Sequence, residues 1–169
     1  MRESRPPKSK SPTRESKKFP VDSSIGYQIR VAHRLLQRYR QVLVEPYGVT
    51  AGMWFFLRVL WDEDGLTQRE LSDRVGTMEP TTLVALRAMK KARLIQRIRN
   101  TDDKRKVNIF LTPKGRALEE TLVPLAKHVV DHAVADFSQA EIRQLLSMLK
   151  RIQTNLAEID KARPEEIEP

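Results

Sequence analysis

Cysteine is absent from all 169 residues. Disulfides and thiol redox sensing are therefore excluded, and so is the best zinc ligand. Histidine is nearly as scarce, with three residues. No apolar run is long enough to span a bilayer, because Arg58 interrupts even Met53-Trp54-Phe55-Phe56-Leu57. The N-terminus is basic but has no apolar segment behind it, which argues against a secretory signal. There is no internal repeat, no nucleophile–base set, no glycine-rich phosphate loop and no clear carboxylate pair. These absences argue against an enzyme and lead us to expect a cytoplasmic protein.

Positive charge is plentiful. The formal net charge is +9 and the pI is near 10.0, so polyanions are the first partners to consider. Five of those nine charges fall in residues 1–20, where seven lysines and arginines face only Glu3 and Glu15. That stretch of Pro, Ser, Lys and Arg has too little apolar surface to offset ordering entropy, so it reads as a disordered basic tail. Either it is a loose arm on DNA phosphates or it is a solubilising leader.

From Val21 the pattern is helical. Apolar residues recur from Ile29 to Val44, after possible caps at Asp22, Ser23 or Ser24, and Pro46 stops the run. A turn at Tyr47-Gly48-Val49-Thr50 precedes a very apolar helix over 51–62. Thr67-Gln68-Arg69-Glu70 fits a capping box opening a short helix that stops at Gly76. Another helix, with Pro80 in its first turn, runs to about Ala92. Two short helices joined by a tight glycine-containing turn are the layout of a helix-turn-helix. Strands at about 95–99 and 106–111 follow. Val107, Ile109 and Leu111 alternate on one side, and the charged tip Asp102-Asp103-Lys104-Arg105-Lys106 lies between the strands. Thr112-Pro113 opens a long helix over about 113–135, and the capping box Ser138-Gln139-Ala140-Glu141 opens the last, over about 139–159.

The expected fold is mainly α with a small β hairpin (α+β): a winged helix-turn-helix with long N- and C-terminal dimerisation helices. Residues 1–20 form the tail and 21–160 the domain, with helix-turn-helix and wing at about 50–112 and dimerisation helices at about 22–45 and 113–159. Residues 161–169 form a frayed tail. The apolar stripes of the long helices exceed what a winged domain needs for its own core, which points to a second copy of the chain. A symmetric dimer would place two recognition helices about 34–36 Å apart, for successive major grooves.

Leu66-Thr67-Gln68-Arg69-Glu70-Leu71-Ser72-Asp73-Arg74-Val75-Gly76, then a Thr-Thr-rich helix, then Ala92-Arg93-Leu94-Ile95, then Asp103-x-Arg105 and Leu111-Thr112-Pro113-Lys114-Gly115 together resemble the MarR family of bacterial transcription regulators. The resemblance covers roughly 22–159. Its most specific part is the wing pattern with the following Lys-Gly, at its usual distance from the helix-turn-helix. It implies a homodimer on a pseudo-palindromic operator, usually a repressor released by a small ligand. This chain departs from the commoner pattern at Met78-Glu79-Pro80-Thr81-Thr82, where many members have Ser-Arg-Ser-Thr, and at Val84, where arginine is frequent. The operator sequence cannot be borrowed from relatives.

Candidate DNA-binding residues are Thr81, Thr82, Val84, Arg87, Lys90 and Lys91 on the recognition helix, and Asp103, Lys104, Arg105 and Lys106 in the wing. Thr82 also shares a face with Ala85, Leu86 and Met89, which is the expected core side, whereas Thr81, Val84 and Arg87 face the groove. A threonine can bond base or phosphate; Val84 can only touch a thymine methyl. The resemblance implies that Arg105 enters the minor groove, where a guanidinium suits the narrow negative cleft, while Asp103 orients it or closes the turn. Candidate effector-binding residues are Tyr27, Arg30, Arg34, Arg38, Trp54, Phe55 and Trp61. Arg30, Arg34 and Arg38 line one helix face at i, i+4 and i+8. They are either a solvated face or a receptor for an anionic effector, an aromatic carboxylate or its CoA thioester. The aromatic residues are either that site or ordinary core. His128 and His132, at i and i+4, are half of a metal site at most, with Asp131 or Asp136 nearby. No cofactor or structural metal is expected. The partners expected are double-stranded operator DNA, a second copy of the chain, and the small-molecule effector. A nucleoid-type architectural DNA-binding protein, a metal-responsive regulator and a regulator without an effector are the other readings.

Overall fold

A computed structural model describes residues 21–101 and 103–161. The expected tail over 1–20 and the chain beyond Lys161 lie outside the described residues. Six helices and three strands follow in order: α1 (Ile25–Val44), α2 (Ala51–Asp62), β1 (Leu66–Thr67), α3 (Gln68–Val75), α4 (Glu79–Lys91), β2 (Ile95–Arg99), β3 (Val107–Leu111), α5 (Pro113–Ala133) and α6 (Gln139–Lys161). The described chain divides into two compact units that meet within α1, one ending at Leu35 and the other beginning at Leu36.

In the first unit a short 3₁₀ turn over Val21–Ser23 leads into α1. The Ser24 N–H donates to the Val21 carbonyl, and Gln28 Nε2 donates to the Asp22 carbonyl at 2.7 Å. The Ser24 hydroxyl accepts from the Tyr27 N–H, one of the donors that a helix start leaves without an intrahelical partner.

The second unit holds the core. Leu57, Leu60, Leu71, Leu86, Met89, Leu94, Ile109 and Leu122 are essentially inaccessible to solvent. They come from α2, α3, α4, β3, α5 and the α4–β2 turn, so one apolar cluster ties the short helices to the sheet. Four of the helices, α2, α3, α5 and α6, begin at a side-chain cap. Thr50 accepts from the Met53 N–H, Thr67 from Glu70, Thr112 from Gly115 and Ser138 from Glu141. Gly48 and Gly76 end helical segments in the left-handed region.

The sheet has one strand more than the expected hairpin. β1 pairs antiparallel with β3, Leu66 opposite Ile109, and β2 pairs with the other edge of β3, Ile95 opposite Leu111 and Arg99 opposite Val107. Only Ile95 of β2 is buried; Ile98 pairs with Asn108, on the face away from Ile109 and Leu111, and is exposed. β2 is an edge strand that runs outward past the core with the hairpin.

Candidate nucleic-acid interface

The α3–turn–α4 unit is built from both ends. At its start Thr67 and Glu70 complete a reciprocal capping box, and the Glu70 carboxylate accepts from the Thr67 N–H at 2.7 Å. That backbone bond, joined by one from the Thr67 hydroxyl, holds the Glu70 carboxyl below its ordinary range. At the turn, Gly76 adopts φ +69 and donates to the Asp73 carbonyl. α4 starts without a side-chain cap at Met78, and Pro80 supplies a preset φ in its first turn.

One face of α4 is sealed. Thr82, Leu86 and Met89 are buried, and the Thr82 hydroxyl lies 2.8 Å from that of Ser72 on α3. Thr82 is therefore corrected from a DNA-contact candidate to a packing residue. The helical period that puts it one turn before Leu86 and two before Met89 turns its hydroxyl inward. Thr81, Val84, Arg87, Lys90 and Lys91 are all exposed. Thr81, Val84 and Arg87 follow one another at three-residue spacing and form the exposed stripe of α4.

The wing tip is a hydrogen-bonded turn. Asn100 N–H donates to the Lys106 carbonyl, and Lys106 N–H to the Asp103 carbonyl. The Asn100 side chain accepts from the Asp103 N–H at 2.8 Å. Asp103 Oδ1 in turn accepts from both the backbone N–H and the Nε–H of Arg105, each at 3.1 Å. Asp103 therefore holds both the backbone of the turn and the Arg105 guanidinium through one carboxylate oxygen. Arg105 still exposes 91% of its side chain. Its hydrogen bond is the first cause holding the Asp103 carboxyl below its ordinary range. Lys104 and Lys106 are exposed beside it.

The base of the wing is braced. Asn100 Nδ2 donates to Asn108 Oδ1, and Asn108 Nδ2 donates to the Gly65 carbonyl at 2.5 Å. Asp64 is the hub below: Oδ1 accepts from the N–H groups of Gly65 and Leu111, and Oδ2 from Arg116 Nη2 at 2.6 Å. The end of α4 is tied to α5, since Thr112 Oγ1 donates to the Arg93 carbonyl and Lys114 Nζ to that of Ala92. Gly115 fits here because a Cβ would collide with the Leu94 carbonyl oxygen. These contacts give Thr112, Lys114 and Gly115 a structural reason: they fix the angle between recognition helix and wing.

Sequence reasoning missed Asp64, two of whose three partners lie 47 and 52 residues away. It also did not name Arg97 and Arg99 as contacts. Both are exposed on β2, and an Arg-x-Arg repeat beside a basic tip was the available signal.

Among the effector candidates, Trp54, Phe55 and Trp61 come together on α2. Trp54 is core, 5% exposed, and meets Trp61 edge to face with centroids 5.8 Å apart. Trp61 is half-buried and donates its indole N–H to the Gly115 carbonyl at 2.9 Å. Two of the three rings are thus committed to packing, and Phe55 stays exposed. Tyr27, Arg30 and Arg34 are exposed on the first part of α1, and Arg38 is exposed further along it. His128 and His132 lie with ring centroids 4.1 Å apart, near Tyr39, and His132 Nδ1 sits 3.0 Å from the His128 carbonyl. Asp131 is paired with Lys127 instead. Among the described residues no group of three or more metal-ligating side chains occurs, and no helix is long and apolar enough to cross a membrane.

The family model that matches this chain is that of the MarR family, over residues 49–107, which takes in α2, the helix-turn-helix and most of the wing. The HTH-type transcriptional regulator TtmR of Methylorubrum extorquens (strain PA1) is 32% identical over 99 residues; the match spans 59% of this chain and 51%, about half, of that relative. The homoprotocatechuate degradative operon repressor of Escherichia coli is 24% identical over 130 residues, covering 77% of this chain and 88% of the repressor. Among solved structures, a MarR transcriptional regulator from Methanosarcina mazei Go1 superposes with a TM-score of 0.74 at 30% identity, covering 80% of this chain and 97% of that one.

Proposed function

This chain belongs to the MarR family, and from that premise we propose that it is a DNA-binding transcription regulator, not an enzyme: a homodimeric repressor that leaves its operator when it binds a small anionic aromatic ligand. The observation that carries the DNA-binding part is the wing tip. A guanidinium that is 91% exposed, yet aimed by its neighbour's carboxylate, is prepared to enter a narrow minor groove. On α4, Thr81, Val84 and Arg87 supply the major-groove face, with Lys90 and Lys91 on phosphates. Lys104 and Lys106 take phosphates beside Arg105.

Dimerisation is supported by apolar surface left open on the long helices. Leu35 and Val42 of α1 and Leu146 and Leu156 of α6 are each more than half exposed. Apolar rows of that kind are what a second copy of the chain would cover. The repressor reading follows the family and the role named for the E. coli relative. The ligand reading rests on the exposed arginines of α1 and on the aromatic residues of α2.

Competition binding at rising salt tests the function. A specific regulator keeps a ratio of at least about a thousandfold for one selected site over random duplex. An architectural DNA-binding protein would show none, and that result would overturn the proposal.

A further inference from the structure

The outward face of α4 starts apolar and ends basic. Met78, at its N-cap, is the most exposed large apolar residue among those described, at 75%, and Val84 is 65% exposed. Pro80 and Thr81, exposed between them, add a ring and a methyl group. Apolar residues scattered singly on a surface need no explanation, but these four fall within the first two turns of one helix. The exposed cations Arg87, Lys90 and Lys91 come only afterwards. The apolar end is fixed from behind. The Met78 carbonyl accepts from the Thr82 N–H at 3.1 Å and lies 3.4 Å from the Thr82 hydroxyl, and Thr82 is itself sealed against Ser72 of α3. The side chain that points inward thus holds the backbone of one that points out.

No arginine, lysine, asparagine or glutamine occurs between Met78 and Leu86. Those are the side chains that read guanine or adenine by paired hydrogen bonds. The first turns of a recognition helix are the part that reaches base edges, and phosphates are met around them. Glu79, exposed in the same turn, repels phosphates and leaves that turn to the bases. The major groove displays a single kind of apolar group, the C5-methyl of thymine. An apolar reader of base edges therefore has one partner there.

We propose that Met78 and Val84 are specificity residues that read thymine C5-methyl groups at two separate positions of each operator half-site. The inference rests on the placement of α4 in the major groove proposed above and names what is read there. Six residues along an α-helix span about 9 Å, more than two base-pair steps of about 3.4 Å, so the two side chains reach different base pairs. Thymine and uracil both pair with adenine and present the same O4 acceptor to the groove; only the methyl group separates them. A side chain that buries this methyl should tell the two bases apart by about fourfold at each contact.

The test starts with selection of a preferred duplex from a random library by the full chain. Each thymine of that duplex is then replaced by deoxyuridine, in both half-sites together, and affinity is read by fluorescence anisotropy. The parent is expected to weaken by about tenfold or more at two thymine positions, from the loss of one methyl contact in each half-site, and to change little at the others. Val84→Ala is expected to bind the thymine duplex more weakly and to lose the deoxyuridine penalty at one of those positions; Met78→Ala should lose it at the other. Both residues are exposed, so both variants should melt like the parent. A parent that is indifferent to deoxyuridine at every position overturns the proposal and leaves DNA binding intact. Penalties that persist unchanged in both variants also overturn it, because they then come from the duplex and not from these side chains. A parent that selects no duplex over random sequence overturns the sequence-specific reading and this inference together.

Discussion

The hydroxyl oxygens of Ser72 and Thr82 meet at 2.8 Å inside the protein, joining α3 to α4 by a side-chain bond buried on both sides. It fixes how the recognition helix is rotated, and hence which of its residues face outward. Thr82→Val keeps the shape and removes the hydroxyl. Ser72 retains the Gln68 carbonyl as an acceptor, so the loss should be about 1 kcal/mol, measured by urea unfolding. Operator affinity of the folded variant should stay within about twofold of the parent, well below the cost of a lost base contact. A large loss of affinity with unchanged stability would put Thr82 back among the DNA contacts.

Arg105 is the complementary case, exposed and poised where Thr82 is sealed. Arg105→Ala should weaken operator binding by at least about tenfold and reduce the salt slope by about one unit, with little change in Tm. Asp103→Ala keeps the cation but removes its brace, so it should lose less affinity than Arg105→Ala. Fluorescence anisotropy across a salt series reads both. Parent-like binding by Arg105→Ala would remove the wing from the interface.

The capping carboxylates predict a specific acid response. The Glu70 carboxyl is held below its ordinary value, first by the Thr67 backbone N–H and then by the Thr67 hydroxyl. Glu141 is lowered likewise, first by the Ser138 hydroxyl and then by its N–H. A carboxyl whose pKa is lower in the folded state contributes stability above its unfolded value, and that contribution is lost as pH falls through the folded value. Glu70→Gln should therefore lower Tm at neutral pH, and the difference should close below about pH 4, near the unperturbed glutamate value. Because Glu70 is solvent-exposed, the effect should be about half a kcal/mol or less. A difference that persists unchanged at low pH would mean that charge is not what Glu70 contributes.

Much of this was legible in the chain. A very apolar run between turn signals marked α2 over its observed span, and Thr50, Thr67, Thr112 and Ser138 each sit where a cap is required. These are local signals, written within four residues of the group they satisfy. The alternation Val107, Ile109, Leu111 likewise foretold β3. Asp64 gave no such signal, because two of the three groups its oxygens serve, on Leu111 and Arg116, come near only when β3 and α5 fold back over it.

The arginines of α1 divide the two kinds of knowledge most clearly. Periodicity showed that Arg30, Arg34 and Arg38 follow one helical face, and the structure leaves all three exposed. Arg40 looks no different in sequence, yet packing against Trp54 and Phe55 strips it of water and leaves its Nε without a partner. Composition, period and caps determined that this chain would make a basic winged helix-turn-helix, because those preferences act between residues close along the chain. Only the tertiary structure decided which cation is buried unpaired and which threonine is sealed, because burial depends on what distant segments bring to the same place.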